Sequence, residues 1–532
     1  MKMKYNLILC YLLLGLALLN GQENSNVELP QFVITGKEAY EFPLLEKQKP
    51  GLVSTVSGEF FKPVYSADEL EVKDFSEPTR RSGEFLDSIR FVNGEADFLI
   101  GNNILPSLSA TYRLPLERSL FSANINAFNQ RAYLTNADRN KFGAKLFYNY
   151  IISDSSGFLA FSKFHASGKV ENESYKLFAS PVPNFNRQFL RSNFVTSLQN
   201  ISSKTFNYDL TVEDYYLNMK YDSLKENIIK VNGFSKYTTG SFDISLFGKV
   251  SFLSSIYNTL LSENSNIIQA KGIFGYPVEN YARLNIGFEY SKMDSYHTFY
   301  PYLSAEVQWS KGFSLFIEYH PTSTLLTQQD FLETNRYYAI SPQVKYIFYS
   351  VASQFSLNTK YEYEKIFEVS GGLGYCSASN YPYFSDSTAG RNIYNVNVTE
   401  AKSTSVFASI HLYPGEFGFF AGEINYQHVT NESGNSVPNV SPVKLNLTYG
   451  LFVTPEISLS AKMMYYSPAF LNFANTEKRK EYFNLTLNGE MNISENMFAQ
   501  LEVQNILNQK NEIWKNYQEL PLSIAAGLKI IW

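Results

Sequence analysis

The stretch Phe483-Asn-Leu-Thr-Leu-Asn-Gly-Glu-Met-Asn-Ile493 decides the fold. In an extended chain Phe483, Leu485, Leu487, Gly489, Met491 and Ile493 fall on one side, and Asn484, Thr486, Asn488, Glu490 and Asn492 on the other. Successive side chains of a strand point to opposite faces, so this period of two describes a strand with one apolar and one wet face. It is about twice the length usual in soluble sheets. Its wet face carries amides, a hydroxyl and a carboxylate, not the dense Lys/Glu coat of a solvated surface. Strands of about nine to eleven residues, apolar outside and polar inside, are what a closed transmembrane barrel requires.

The pattern repeats outward from there. Ala282, Leu284, Ile286, Phe288 and Tyr290 alternate with Arg283, Asn285, Gly287 and Glu289. Within Val443–Val453, Lys444, Asn446 and Thr448 oppose Leu445, Leu447 and Tyr449. Within Met497–Leu507, Gln500, Glu502 and Gln504 face away from Ala499, Leu501 and Val503. Candidate strands begin near residues 95, 107, 119, 140, 156, 190, 204, 226, 240, 264, 280, 299, 313, 353, 366, 392, 416, 441, 456, 480, 496 and 522. That is about 22 strands, within roughly 20 to 24, and even numbers are the rule in bacterial barrels. No repeat near 40 residues argues for a propeller. The fold class expected is all-β: one large antiparallel transmembrane β-barrel over residues 95–532, preceded by an irregular segment.

Tight connections (Leu114–Arg118, Asp154–Ser156, Lys311–Gly312, Pro414–Glu416, Thr454–Glu456, Ser494–Asn496) alternate with long ones (170–189, 322–352, 379–391, 431–440, 468–479, 508–521). Short turns face the periplasm in such barrels and long loops face outward, which puts the N- and C-termini in the periplasm. Residues 337–349 alternate poorly and can be read as a further strand pair.

Composition agrees. Of 532 residues only 18% are charged, against roughly 25% in soluble proteins, while 43 Phe and 39 Tyr suit half-buried pleated surfaces. A net charge of −5 without a basic block excludes a nucleic-acid partner. Lys2, Lys4, the apolar run Leu7–Leu19 and Gly21 read as a signal peptide over residues 1–21, the run being too short to span a membrane. Cys10 sits inside that run, so its removal leaves Cys376 alone and no cysteine pair for a disulfide or metal site. Residues 22–94, with their charged run Asp68–Asp74, read as an extended or irregular segment in the periplasm or lumen.

Three stretches carry a family resemblance. Val503-Gln-Asn-Ile-Leu-Asn508, Ile513-Trp-Lys-Asn-Tyr517 and Gly527-Leu-Lys-Ile-Ile-Trp532 resemble the closing hairpin of TonB-dependent receptors, and Ala96–Leu116 with Gly101-Asn-Asn103 and Pro106 resembles their first barrel hairpin. The terminal aromatic Trp532 is similar to the signal read by the barrel-assembly machinery. The resemblance covers the barrel domain and not the front: the 73 residues from Gln22 to Gly94 are too few for the family's plug domain and lack its pattern. Within them Pro30-Gln-Phe-Val-Ile-Thr-Gly36 is similar to a TonB box, so Phe32, Val33, Ile34 and Thr35 are the candidate partner-binding residues, an added strand for a TonB-like periplasmic protein. The resemblance implies a Gram-negative-type outer-membrane receptor or transporter embedded in lipid, with a plug or energy-coupling partner supplied in trans. The alternative is a structural scaffold barrel that anchors a periplasmic or surface partner.

Enzyme chemistry is not expected. His165, His297, His320, His411 and His428 form no H-E-x-x-H site, there is no G-x-S-x-G elbow, and Gly371-Gly-Leu-Gly374 lies in a strand pattern. His165 and His320 are placed near the outer rim, where serines are plentiful. No catalytic, cofactor-binding or metal residues are assigned. Glu289, Glu306, Glu318, Glu490 and Glu502, with Lys345, Lys462 and Lys529 as counter-charges, read as a hydrated lumen wall.

Overall fold

A backbone N–H or C=O in hydrocarbon has no water to bond, so a sheet that crosses a membrane must pair its first strand with its last. The computed structural model describes residues 92–532 except 153–158, 160, 201–204, 259–260, 279–280, 311, 341–345, 364–365, 387–391, 414 and 416–417. The signal peptide read at 1–21 and the Pro30–Gly36 stretch lie outside the described residues.

In the described chain the sheet does close. Strand Gly94–Gly101 pairs on one side with Ser107–Leu116 and on the other with Ser523–Ile531, running from Glu95 opposite Ile531 to Gly101 opposite Ala525. Gly94 and Trp532 exchange both backbone hydrogen bonds, at 2.9 and 3.0 Å. The seam is drawn so tight that a Cβ on Gly94 would fall on the Trp532 indole, and one on Gly527 on the Phe98 carbonyl oxygen. Glycine is the residue that permits this approach.

Twenty-two antiparallel staves make the barrel. One stave is broken: Phe313–Tyr319 and Ser323–Thr327 pair with successive parts of Tyr346–Tyr363, separated by His320, Pro321 and Thr322. Pro321 has no N–H to give a ladder, and the facing strand shifts register between Val351 and Ser353.

The expected strand starts fall within a few residues of the observed ones. Those near 95, 107, 119 and 140 are Gly94, Ser107, Ser119 and Arg139, and those near 456, 480, 496 and 522 are Ile457, Tyr482, Met497 and Ser523. The largest displacements are at Ser162 and Tyr346. Several strands run longer than the pattern indicates. Ser162–Lys176 and Asn186–Asn200 shorten the loop expected at 170–189 to 177–185, and Phe367–Asp386 has 20 residues. At about 3.4 Å per residue such strands overshoot the hydrocarbon, and beyond it neither face need be apolar. Of the range 337–349, where a further strand pair is expected, residues 341–345 lie outside the described residues. Gln328–Thr334 is a helix, and Tyr346–Tyr349 belong to the long strand Tyr346–Tyr363.

Facing follows the alternation. Ile286 is 58% exposed on the outer wall, whereas Glu289 is 6% exposed on the inner one. Leu487 is likewise outside, and Asn488 turns inward, its Nδ2 donating to the Ser460 hydroxyl at 3.5 Å. Leu487→Arg should therefore cost about 2–4 kcal/mol near mid-membrane, whereas Asn488→Gln should be close to neutral. Denaturant-induced unfolding in lipid vesicles, read by heat-modifiable gel mobility, checks this; equal losses at both positions would overturn the facing.

Candidate functional site

The rim opposite Gly94 and Trp532 carries the long loops, and their sequences explain how they cross the lumen. At the end of Ser323–Thr327, Asp330 accepts from the Thr327 backbone N–H at 2.7 Å and starts the helix Gln328–Thr334. The buried wall residue Glu226 accepts the N–H groups of Gln328 and Gln329 at 3.2 and 3.3 Å, a carboxylate against the positive end of a helix. Phe331 and Leu332 are buried beneath it, and Asn335 turns the chain by accepting from the Tyr337 N–H at 2.9 Å.

The turn is held by Arg187. This fully buried guanidinium grips Asp222 through two nitrogens, at 2.8 and 3.1 Å, and donates to the carbonyls of Arg336 and Tyr338 at 3.1 and 2.7 Å. Tyr175 adds a hydroxyl bond to the Arg336 carbonyl at 2.5 Å. Held so, Tyr337 stacks on Tyr517 with ring centroids 3.5 Å apart, and Phe178 meets both rings edge-on.

Tyr517 belongs to the loop of the closing hairpin. Both ends of the Asn505-Ile-Leu-Asn508 turn adopt positive φ, 48° and 49°, which asparagine tolerates better than other non-glycine residues. Asn505, fully buried, donates to the carbonyls of Gln509 and Leu520, so it ties the two feet of the loop together. Across the lumen, Asn392 donates to the Ala179 carbonyl at 2.8 Å and accepts from Asn516 at 2.9 Å. Asn392 precedes the sixteenth stave and Ala179 follows the fifth, about half the circumference away. These loops therefore form a cap over the barrel end, with Leu217, Met219, Tyr338 and Tyr394 in its apolar core.

Beneath the cap lies a cavity of about 570 Å³. Its wall side is charged but internally paired. Glu171 takes Arg191 at 2.5 Å, Lys169 at 3.0 Å and Lys141 at 3.1 Å, and Glu173 takes Arg139 at 2.8 Å. Its loop side presents Arg336, Tyr337, Trp514 and Glu519. Arg336 and Glu519, carried by two different loops, attract one another. Burial pushes the Glu519 carboxyl above its usual range, against the pull of Arg336 and Arg139.

Set against solved structures, the chain is similar to the ferric-catecholate import receptor Fiu from E. coli K12 (10% identity, 83% of this chain and 82% of that one, TM-score 0.59). It is similar to the siderophore receptor PirA from Acinetobacter baumannii (10%, 84% and 81%, 0.61) and to the copper transporter OprC (9%, 85% and 82%, 0.62). No family profile and no curated protein matches it. The barrel has the fold of the TonB-dependent receptors. That fold is the one implied by the closing hairpin, and Trp532 stands at its seam.

In this barrel the sequence-predicted lumen residues are mostly satisfied. Glu289 accepts from Thr322 at 2.7 Å and lies 2.9 Å from His320, and Glu318 lies 3.8 Å from the same ring. Glu490 pairs with Lys529 at 3.7 Å, and Glu502 accepts from Gln504. Glu306 and Lys462 share the inner face, and Lys345 lies outside the described residues. His320 sits at the stave break and not at the outer rim. His165 lies nearer the short-turn end, between Asn149 at 2.9 Å and Ser167 at 3.2 Å. That trio has the composition of a hydrolytic triad, but its strand is paired on both sides, which engages the backbone donors an oxyanion hole would need. Tyr517 lies in the closing hairpin that the sequence singles out, whereas the cap residues Phe178, Arg187 and Tyr337 escaped the sequence reading, although aromatics inside polar loops were a visible signal.

Arg187→Ala leaves Asp222 buried without its partner, a change worth about 3–5 kcal/mol where a buried pair is broken. The expected outcome is faster tryptic cleavage after Arg336 in intact outer membranes, with heat-modifiable mobility of the barrel retained; unchanged cleavage would show that Arg187 does not hold the cap.

Proposed function

We propose that the chain is an outer-membrane receptor and transporter of Gram-negative type that binds a solute beneath its loop cap and passes it along the lumen. The observation that carries this is the capped cavity itself: loops from opposite sides of the barrel meet over a polar chamber, in a fold shared with a ferric-catecholate import receptor and a copper transporter. A scaffold needs no such chamber.

In this reading both chain termini face the periplasm and the cap faces outward, in keeping with short turns at one rim and long loops at the other. Residues 22–94 remain the periplasmic or lumen segment, with Phe32 to Thr35 offering a strand to a TonB-like protein. A barrel of 22 staves encloses a lumen wide enough to need obstruction. The cap obstructs one end, and the segment or a plug supplied in trans obstructs the other.

Deleting residues 22–94 while keeping the signal should raise permeability to bulky antibiotics and abolish capture of the TonB-like partner, with the barrel still inserted. Antibiotic sensitivity, co-purification and single-channel conductance read the result. A barrel that stays silent to all solutes, with or without the segment, would overturn transport.

A further inference from the structure

At the broken stave the wall is complete toward the short-turn end and interrupted above it. Strand Tyr296–Ser310 pairs with Phe313–Tyr319 only as far up as Leu303, and among the described residues no strand pairs with 296–302 on that side. The next two strands turn inward. The Ser323 carbonyl accepts from the Gln269 side-chain amide at 2.8 Å, although three strand spacings, about 14 Å, would separate their staves in an intact wall. Phe348 packs with Ile267 and Met293, and the Tyr300 and Ser350 hydroxyls meet at 2.6 Å. The hairpin of Ser323–Thr327 and 346–350 thus lies inside the barrel, against the inner face of staves it would otherwise follow. On its far side, strand Phe367–Asp386 has lost this neighbour above Ser379.

Prolines mark the edges of the break. Gln308 donates its backbone N–H to the Tyr281 carbonyl at 2.6 Å, so even-numbered residues of Tyr296–Ser310 point their backbone groups at Ala282–Met293. Odd-numbered residues point theirs at the break, and Pro301 is one of them. Continuing the register beyond Leu303 and Tyr319 sets Pro301 opposite Pro321. The pair that would extend the ladder therefore has no donor on either side. Pro382, opposite Val398, stands likewise where an N–H would point away from its paired strand and into the break. These edges are built to refuse an added strand. The break also reaches lipid. The outward apolar set from Ala282 to Tyr290 ends at Lys292, and Tyr290 faces Phe299, so 299–302 lie within the lipid-facing band. Phe299 is 65% exposed on that face.

The inner end of the break meets the lumen. Thr322, Ser323 and Thr324 line a second cavity, of about 580 Å³, together with Phe234, Phe247 and Lys271. The two phenylalanine rings lie 4.7 Å apart on the inner wall, beside charged and hydroxyl groups. A path with lipid at its outer end, and paired rings among polar groups at its inner end, suits a molecule that is apolar along its length and polar at one end. We infer that the break is a lateral passage by which an acyl-chain amphiphile, a free fatty acid or a membrane lipid, enters the lumen from the bilayer. Its chain lies on Phe234 and Phe247, and its head group meets the polar lining around them. This entry is separate from the chamber beneath the cap and does not depend on it.

The test uses the full chain in lipid nanodiscs and a photoactivatable diazirine placed in the acyl chain of palmitate or of phosphatidylethanolamine, with labelled residues mapped by peptide mass spectrometry. Outward residues such as Phe288 and Phe299 should label with both probes and resist competition. Phe234, Phe247 and 322–324 should label with at least one, and lose that label when the same amphiphile is added in excess without the diazirine. The probe that reaches them identifies the source of the chain. Label confined to outward residues with both probes overturns the inference. So does equal inner labelling by diazirine-butyrate, which stays in water and would mark entry along the barrel axis. Both of these outcomes are read on the native chain. Pro301→Val combined with Pro321→Val supplies the two missing donors and lets the ladder run on. In that variant the inner label should be lost and the outward label kept, whereas an unchanged inner label in a barrel of normal heat-modifiable mobility overturns the lateral route.

Discussion

The pairing of strand Gly94–Gly101 with strand Ser523–Ile531 is the contact on which the rest depends. In water an unpaired strand edge is solvated; in hydrocarbon each open donor or acceptor costs several kcal/mol. Closure is thus a condition of insertion, and it dictates local choices. Glycine stands at Gly94 and Gly527 because any side chain would strike the facing strand. Trp532 caps the seam with both backbone hydrogen bonds as well as its ring. Once the ring of staves is closed, apolar residues have no interior to share. The apolar set turns to lipid and the polar set lines a lumen, inverting the arrangement of a soluble protein.

A polar lumen raises its own electrostatic problem, which the strands solve among themselves. Arg283 pairs with Asp243, Lys360 with Glu368, Arg113 with Glu95, and Arg191 with Glu171, each between neighbouring staves or at close reach across them. Strand side chains are fixed in register, so complementary charges can be set opposite one another and stay there. Loops have no ladder to fix a partner. Arg336 and Glu519 come from two such loops and attract one another at the chamber they line.

Legibility in the sequence follows the same division. The lipid enforces a period of two, so Phe483–Ile493, Ala282–Tyr290 and the other alternating runs could be placed closely. Where strands rise above the hydrocarbon the enforcement lapses. Glu171 and Glu173 continue a ladder with no apolar signal opposite every step, so residues 170–189 read as a loop in the sequence. The helix Gln328–Thr334 is set by a buried glutamate on a distant stave, Glu226, which no local pattern announces. The cap is harder still. Phe178, Tyr337 and Tyr517 are adjacent in space but lie in three loops far apart in sequence, and only closure of the barrel brings those loops within reach. The closing hairpin was legible as a family resemblance, yet the reason for its asparagines, positive φ at Asn505 and Asn508, is a backbone property visible only in three dimensions.

The cap has joints of different kinds. On one side Arg187 binds Asp222 and two backbone carbonyls in full burial, an arrangement that is costly to separate because both charges would be left without partners. On the other side the Tyr337–Tyr517 stack contributes on the order of 0.5–1.5 kcal/mol beyond its buried area and leaves nothing charged behind when it parts. The stack is not alone on that side: the Tyr517 hydroxyl donates to the Asn392 carbonyl at 3.1 Å, the Asn516 amide donates to Asn392 at 2.9 Å and the Tyr133 hydroxyl donates to the Gln518 carbonyl at 2.6 Å. Neutral hydrogen bonds of this kind contribute about 0.5–1.5 kcal/mol each, so the two sides of the cap differ in the kind of bond that holds them and not in whether they are held.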